Sequence, residues 1–411
     1  MLESIYQANA VAAILITLSL IWLAAFALTR ITKLLRLPNV TGYIISGVLI
    51  GPSVLRLIPA DIIGGMDFVT DAALTFIAFS VGKYLKLSSL KKQGMGVIVL
   101  TLCEALLGGA FACAAMMLMG LPFQFCLLLG AIGSATAPAS SIMTIRQYKA
   151  KGVFVDTLMQ VAALDDAVAL IAFSICAAVV SGSSEGVSVM DTVLPVVYNV
   201  GMLAFGALLG FVMVKLLTPA RSKEHRLALA CAFLFLEAGV SAALDVSPML
   251  GAMAMGACYM NMGGEKSLFK QLGKFTPPIT ILFFVLSGMR LDLSALKTAG
   301  LAGVVYFAAR ILGKYTGAYT GASLARMERP VRKYLGLALI PQAGVSIGLA
   351  VLGSRLLPAE YGDMLTVIIL SSSVLYEMIG PACAKLALHL SGAIPAAKPA
   401  RVGEASTNVH G

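Results

Sequence analysis

Charged residues are scarce in this sequence. Asp, Glu, Lys and Arg make up 12% of 411 residues, about half of what a soluble domain carries. Tryptophan occurs once and histidine three times. His225, His389 and His410 lie in or near polar connections and share no motif, so neither a metal site nor a histidine-based catalytic set is expected. The seven cysteines form no CxxC pair and each lies in an apolar run. They read as small buried hydrophobes, not as disulfides or metal ligands. Long polar insertions are missing too, which leaves no room for a separate soluble domain. These absences exclude a disordered chain and a secreted disulfide scaffold, and argue strongly against a soluble enzyme. No cofactor is expected.

What is present is apolar: 59% of the residues are hydrophobic. A bilayer-spanning helix needs about 20 mostly apolar residues. Thirteen segments qualify as candidates: 6–29, 39–56, 67–84, 95–119, 122–145, 154–181, 190–216, 226–244, 248–262, 275–289, 295–325, 333–353 and 362–390. Short connections with turn chemistry join them, among them Gly51-Pro52, Gly120-Leu121-Pro122, Ser247-Pro248 and Pro277-Pro278. The expected fold class is an all-α membrane protein of about thirteen transmembrane helices. One multi-pass domain would occupy residues 1–392, with a short tail at 393–411 read as disordered. The first run has Glu3 and no Lys or Arg before Arg30. A cleaved signal peptide begins with a basic region, so this run is read as a retained helix.

The net charge is +10. In a soluble protein that excess points to nucleic acid, but no basic cluster sits beside aromatic platforms here, and nucleic acid is not an expected partner. Membrane proteins use Lys and Arg differently, to mark the cytoplasmic side. Of the 30 basic residues, 24 fall in one alternating set of connections and 4 in the other. The remaining two, Arg310 and Lys314, lie inside a predicted span. This bias places the N-terminus outside and the C-terminus in the cytoplasm, and it requires an odd number of spans.

A charge in the hydrocarbon layer is expensive, so each one is a candidate for function. The set is Glu104, Asp165, Asp166, Glu237, Arg310, Lys314 and Glu377. Asp165 and Asp166 are adjacent in the middle of a long apolar helix. Neighbours on a helix point about 100° apart, so one carboxylate can face a cavity while the other faces a neighbouring helix. Such a pair can hold protons, or a hard cation through oxygen ligands. The bland alternative is a capped or ion-paired structural role. An intramembrane aspartyl protease fits poorly, because its two carboxylates must come from different helices. Arg310 and Lys314 are one turn apart and share a face. A buried Lys can release its proton, whereas Arg cannot, so Lys314 is the functional candidate and Arg310 the structural one. Glu104, Glu237 and Glu377 are supporting candidates, for which a fixed ion pair or a position near a helix end serves equally well.

Two segments carry breaks at mid-membrane depth. One reads Gly133-Ser134-Ala135-Thr136-Ala137-Pro138-Ala139-Ser140-Ser141, the other Ile340-Pro341-Gln342-Ala343-Gly344-Val345-Ser346. Proline removes a backbone hydrogen bond. Unwound backbone survives at that depth only where it is buried in protein or lines a cavity. Paired interruptions point to a transporter's binding site, though two simple proline kinks are the plainer alternative. The order repeats: charged helix (Glu104), broken helix, Asp165-Asp166 helix; then charged helix (Lys314), broken helix, Glu377 helix. The two blocks start on opposite sides of the membrane, as inverted repeats require.

In this order the motifs resemble those of the monovalent cation:proton antiporters. The likeness is to the bacterial sodium/proton antiporter branch with an Asp-Asp ion site, related to Kef-type transporters. The stretch Arg36 to Tyr43, with Gly47 and Gly51-Pro52, resembles the family's second-helix signature. Ser134–Ser140 resembles its first broken helix, Asp165-Asp166 its ion pair, Lys314 the lysine that pairs with the first aspartate, and Gln342–Ser346 the second broken helix. The resemblance implies the sodium/proton antiporter fold, with inverted repeats and two broken crossing helices. It implies a homodimer in the bacterial inner membrane, with a moving core domain and a dimerisation scaffold. Its ion and proton site would comprise Asp165, Asp166, Lys314, Thr136 and Ser140, with the sodium on the two aspartates. Glu104, Arg310, Glu377, Pro138, Gln342 and Gly344 would support it. Potassium-efflux relatives carry Gln-Asp and a nucleotide-binding domain; the Asp-Asp pair and short tail here favour sodium. Exchange would be electrogenic. A cation-coupled symporter of an organic anion, a potassium/proton antiporter and a channel are the alternatives.

Overall fold

A computed structural model describes residues 9–35, 37–88, 94–182, 189–218, 220–244, 246–290, 293–342 and 345–395. Gly344, Arg36, Lys91, Lys92 and the tail from residue 396 therefore lie outside the described residues. Sixteen helices and no strand occur among those described. In chain order they are α1 (Ala10–Leu34), α2 (Asn39–Ile50), α3 (Ala60–Gly64), α4 (Asp67–Gly82), α5 (Gly96–Leu118), α6 (Phe123–Gly133), α7 (Pro138–Tyr148) and α8 (Val153–Gly182). There follow α9 (Val189–Leu216), α10 (Lys223–Ala243), α11 (Met249–Asn261), α12 (Lys266–Met289), α13 (Leu293–Leu324), α14 (Arg329–Ala338), α15 (Val345–Ser354) and α16 (Ala359–Leu390).

Nine helical spans among the described residues are long and apolar enough to cross a membrane: α1, α3–α4, α5, α6–α7, α8, α9, α10, α12 and α16. The other predicted segments, 39–56, 248–262, 295–325 and 333–353, hold α2, α11, α13 and the α14–α15 pair. α11 has 13 residues, or about 20 Å of helix at 1.5 Å per residue. That is short of a hydrocarbon layer of about 30 Å. α2 stops at Ile50 instead of 56, because Gly51 turns to an extended conformation (ψ −176°) ahead of Pro52.

One predicted connection is corrected. Pro277 and Pro278 lie inside α12, not between spans. The helix starts at Lys266 and passes through both prolines. Each proline forfeits one backbone hydrogen bond, which the surrounding helical turns tolerate. α13 carries a break of its own: Gly300 adopts φ 53°, ψ −143°, a left-handed region that glycine enters freely.

The buried side chains fall into two clusters. The larger runs through α5–α8 and α13–α16 and reaches α1–α3, α11, α12 and one face of α4. The smaller joins Phe76 and Phe79 of α4 to Leu209, Leu234, Tyr259 and Phe269 of α9–α12. The α6–α7 pair is almost wholly buried, in contrast to α1, α9 and α10, whose apolar sides face outward. A helix that is apolar all round belongs in the centre of a bundle or against lipid. The broken pair takes the centre.

Close approach of α5 and α13 sets the position of Lys314. A Cβ on Gly317 would stand 2.5 Å from the Cys103 carbonyl, and one on Gly313 2.6 Å from that of Leu107. Small residues let helix backbones meet in this way within a membrane. The lysine between them is thereby held over α5.

Candidate functional site

The two broken helices meet at their interruptions. The backbone N–H of Ala137 donates to the Pro341 carbonyl at 2.9 Å. Gln342 Nε2 donates to the Ile132 carbonyl at 3.0 Å, and Ser141 Oγ to that of Ala338 at 3.1 Å. Pro138 opens α7 in its first turn, where a missing N–H costs nothing. The unwound residues Ser134–Ala137 and Leu339–Gln342 are buried. Their backbone groups must find partners inside the protein.

Arg310 supplies them. Its guanidinium donates to the carbonyls of Gly133 (2.8 Å), Ala135 (2.6 Å) and Ile340 (2.7 Å). These oxygens belong to the C-terminal ends of α6 and α14, the negative poles of both half-helices. The guanidinium also lies 4.5 Å from the ring centre of Tyr376, which stacks on Phe307. Arg310 thus needs no carboxylate; it neutralises two helix ends at once.

Lys314, one turn further on α13, is fully buried. Its Nζ donates to Asp165 Oδ2 at 2.8 Å, to Thr136 Oγ1 at 2.6 Å and to the Ser134 carbonyl. Glu104 Oε2 of α5 lies 3.0 Å from the same Nζ. This second ion pair lacks hydrogen-bond geometry, and Glu104 has no hydrogen-bond partner. One ammonium therefore stands between two buried carboxylates. Asp166 is fully buried beside it, and neither of its oxygens is hydrogen-bonded. Asp165 Oδ1 and Ser140 Oγ are unpartnered as well. Unpaired buried polar atoms are costly. Here they gather around α8 and the first turn of α7.

The sequence-derived residues separate as follows. Asp165, Lys314, Thr136 and Glu104 form one contact group. Asp166 and Ser140 are buried with unused oxygens. Gln342 ties the two breaks together. Glu377 is buried on α16 with both oxygens unpartnered and no cation within ion-pair distance among the described residues. Glu237 accepts from Ser241 Oγ at 3.2 Å on α10 and belongs to neither group. Among the described residues no trio of His, Cys, Asp and Glu is arranged to hold a metal ion. Oxygens for a cation at Asp165 and Asp166 would have to include hydroxyls and carbonyls.

Two residues escaped the sequence reading. Tyr306 donates its hydroxyl to Gln342 Oε1 at 3.2 Å, and Tyr376 carries the face under Arg310. A signal existed for the first, since Tyr306, Arg310 and Lys314 recur every four residues and so share a helix face.

Residues 20–382 match the family model described as sodium/hydrogen exchanger, transmembrane. The chain belongs to the sodium/hydrogen exchanger family. That family lies within the monovalent cation:proton antiporters and is one of transporters. The glutathione-regulated potassium-efflux system protein KefC of Cronobacter sakazakii is 30% identical to this chain over 294 residues, 68% of the chain and 45% of that protein. The chain thus spans less than half the length of that relative. Two structures of the sodium proton antiporter MjNhaP1 from Methanocaldococcus jannaschii share its fold. The one at pH 8 superposes with a TM-score of 0.66 at 20% identity, covering 92% of this chain and 96% of the other. The electron-microscopy structure gives 0.71 at 18% identity, covering 91% and 96%. The chain therefore has the helical fold of those structures.

Proposed function

We propose that this chain exchanges a monovalent cation, sodium in the first instance, for protons across a bacterial inner membrane. One observation carries the reading: a buried lysine hydrogen-bonded to Asp165, beside an Asp166 with no partner of its own. A cation attracted to Asp166 competes with Lys314 for Asp165. A neutral amine no longer needs Asp165, so Lys314 releases its proton as the cation arrives. Asp166 gives up its own proton for the same reason. Two groups then titrate for each cation, which makes the exchange electrogenic. Thr136, freed by the lysine, and Ser140 supply further oxygens for a hard cation. Nothing covalent is required; mutual exclusion at shared carboxylates couples the flows.

The inverted repeat, thirteen crossings and a homodimer scaffold complete the proposal. The 24 basic residues in one set of connections support an external N-terminus.

The test is proton flux in proteoliposomes. Asp166→Asn is expected to abolish sodium-dependent collapse of an imposed pH gradient. Retained exchange in that variant would overturn the site. Lys314→Ala is expected to remove the dependence of exchange on membrane voltage, and an unchanged dependence would sink the lysine's role as a proton carrier. The similarity to a potassium-efflux protein favours potassium as the second reading, and a panel of sodium, lithium and potassium decides it. Collapse of the gradient by an organic anion would instead point to symport.

A further inference from the structure

A recess of about 400 Å³ lies among the end of α4, the start of α12 and the first half of α8, and none of Asp165, Asp166, Thr136 or Lys314 lines it. Its size is that of a small-molecule site. Four lysines from two separate segments line it: Lys83 and Lys86 after α4, and Lys266 and Lys270 on the first turns of α12. The one carboxylate in the lining is Asp156 of α8. Among the described residues none of the four lysines has an acid within ion-pair distance. The nearest acid in sequence, Glu265, precedes α12 without a side-chain capping bond and is turned to Arg226 at 2.7 Å and to Ser267. The first turn of α12 holds no acid, so the positive pole of that 24-residue helix adds to the lysines' field. The floor is Gln160 of α8, almost fully buried, whose Nε2 donates to the Tyr84 carbonyl while its Oε1 has no partner.

The positive-inside bias alone does not account for this arrangement. Orientation requires lysines on one side of the membrane, but it does not require four around one cavity. Left empty, the recess brings like charges together with a single carboxylate among them. Charge of one sign in a concave, partly desolvated site focuses its field on an ion of the opposite sign.

We propose that this recess binds a phosphate-bearing anion, its phosphate held by the four lysines and a hydroxyl or amine on its other part donating to Gln160 Oε1 and Asp156. The lining joins α8 and the end of α4 to α11 and α12. A bound anion therefore braces α8, five residues before Asp165, against α12. That last consequence for transport rests on the function proposed above; the binding does not.

The linkage to pH has a definite sign. Burial, with Arg146 nearby and Asp156 only partly offsetting both, lowers Lys83 to about 8. Raising the pH through that value removes one of the four positive charges, so binding weakens. The other facing groups are Lys86, Lys266, Lys270, Asp156 and Tyr84.

The experiment measures binding to the purified full chain without any ion gradient, which keeps it independent of exchange activity. Inorganic phosphate and glycerol 3-phosphate are titrated at constant ionic strength against chloride. In parallel, the protein is reconstituted in phosphatidylcholine vesicles with and without phosphatidylglycerol, and its thermal unfolding is followed. Tighter binding of the soluble phosphates assigns the site to a free anion. Stabilisation by phosphatidylglycerol alone assigns it to a lipid headgroup. Lys266→Gln with Lys270→Gln is expected to weaken either response roughly tenfold or more, whereas Lys270→Arg retains it. Responses no greater than with chloride and phosphatidylcholine, or a double variant that binds as the parent does, would overturn the proposal.

Discussion

Lys314 is the residue on which the proposed site turns, and its surroundings explain why. An ammonium with no solvent exposure cannot stand alone in a bilayer. Here Asp165 and Glu104 divide it, so the loss of one leaves the other. Arg310, one turn away, solves a different problem. Its three carbonyl partners lose their donors if the side chain is shortened, and each orphaned buried acceptor costs about 1–3 kcal/mol. Arg310→Gln is therefore expected to destabilise the folded protein by at least about 3 kcal/mol, read as a fall in melting temperature in detergent. Arg310→Lys, which keeps the charge but not the fork, should rescue little of it. Full rescue by lysine would show that charge alone matters there.

The ionisable residues of the candidate site were legible in the sequence because charges stand out in apolar runs. Their partners were not. Arg310 reaches backbone oxygens of residues 133, 135 and 340, which a search for side-chain acids never considers. Tyr306 and Tyr376 blend into hydrophobic helices, and their roles appear only when the breaks are brought together. Glu377 drew notice by the same rule as Asp165, yet the fold gives it no cation among the described residues.

At the scale of elements, the breaks in α6–α7 and α14–α15 followed from Pro138, Pro341 and the small residues beside them. Helix ends were less readable. Gly51-Pro52 stops α2, but Pro277-Pro278 does not stop α12, since proline penalises a helix without specifying where its neighbours pack. The α5–α13 contact yields a sharp prediction. Gly317→Val places a branched side chain against the Cys103 carbonyl and against Glu104 Cα, 2.6 Å from an ideal Cβ. Overpacking of this kind costs typically 1–3 kcal/mol. It should also push Glu104 and Lys314 apart. The expected result is a lower melting temperature together with impaired exchange, while Gly348→Ala, whose Cβ would meet nothing within 4 Å, should leave both unchanged.

For the whole molecule, the fold class came from composition, and charge placement supplies the proposed orientation. The division of the core into two clusters did not, because apolar residues on every helix look alike until they are packed. Orientation is open to direct measurement. In a background without the native cysteines, Glu360→Cys is expected to react with a membrane-impermeant maleimide in intact cells. Lys151→Cys should react only after permeabilisation, and the reverse pattern would invert the proposed topology.

The hydrogen bond between Ala137 and Pro341, with those of Gln342 and Arg310, carries a consequence for motion. The two half-helix pairs are laced together at the crossing, through backbone as well as side chains. Neither pair can tilt alone without tearing that lacing. Any conformational cycle that opens the site first to one side and then to the other must carry both pairs as a single rigid piece. Any sliding surface must then lie outside that crossing.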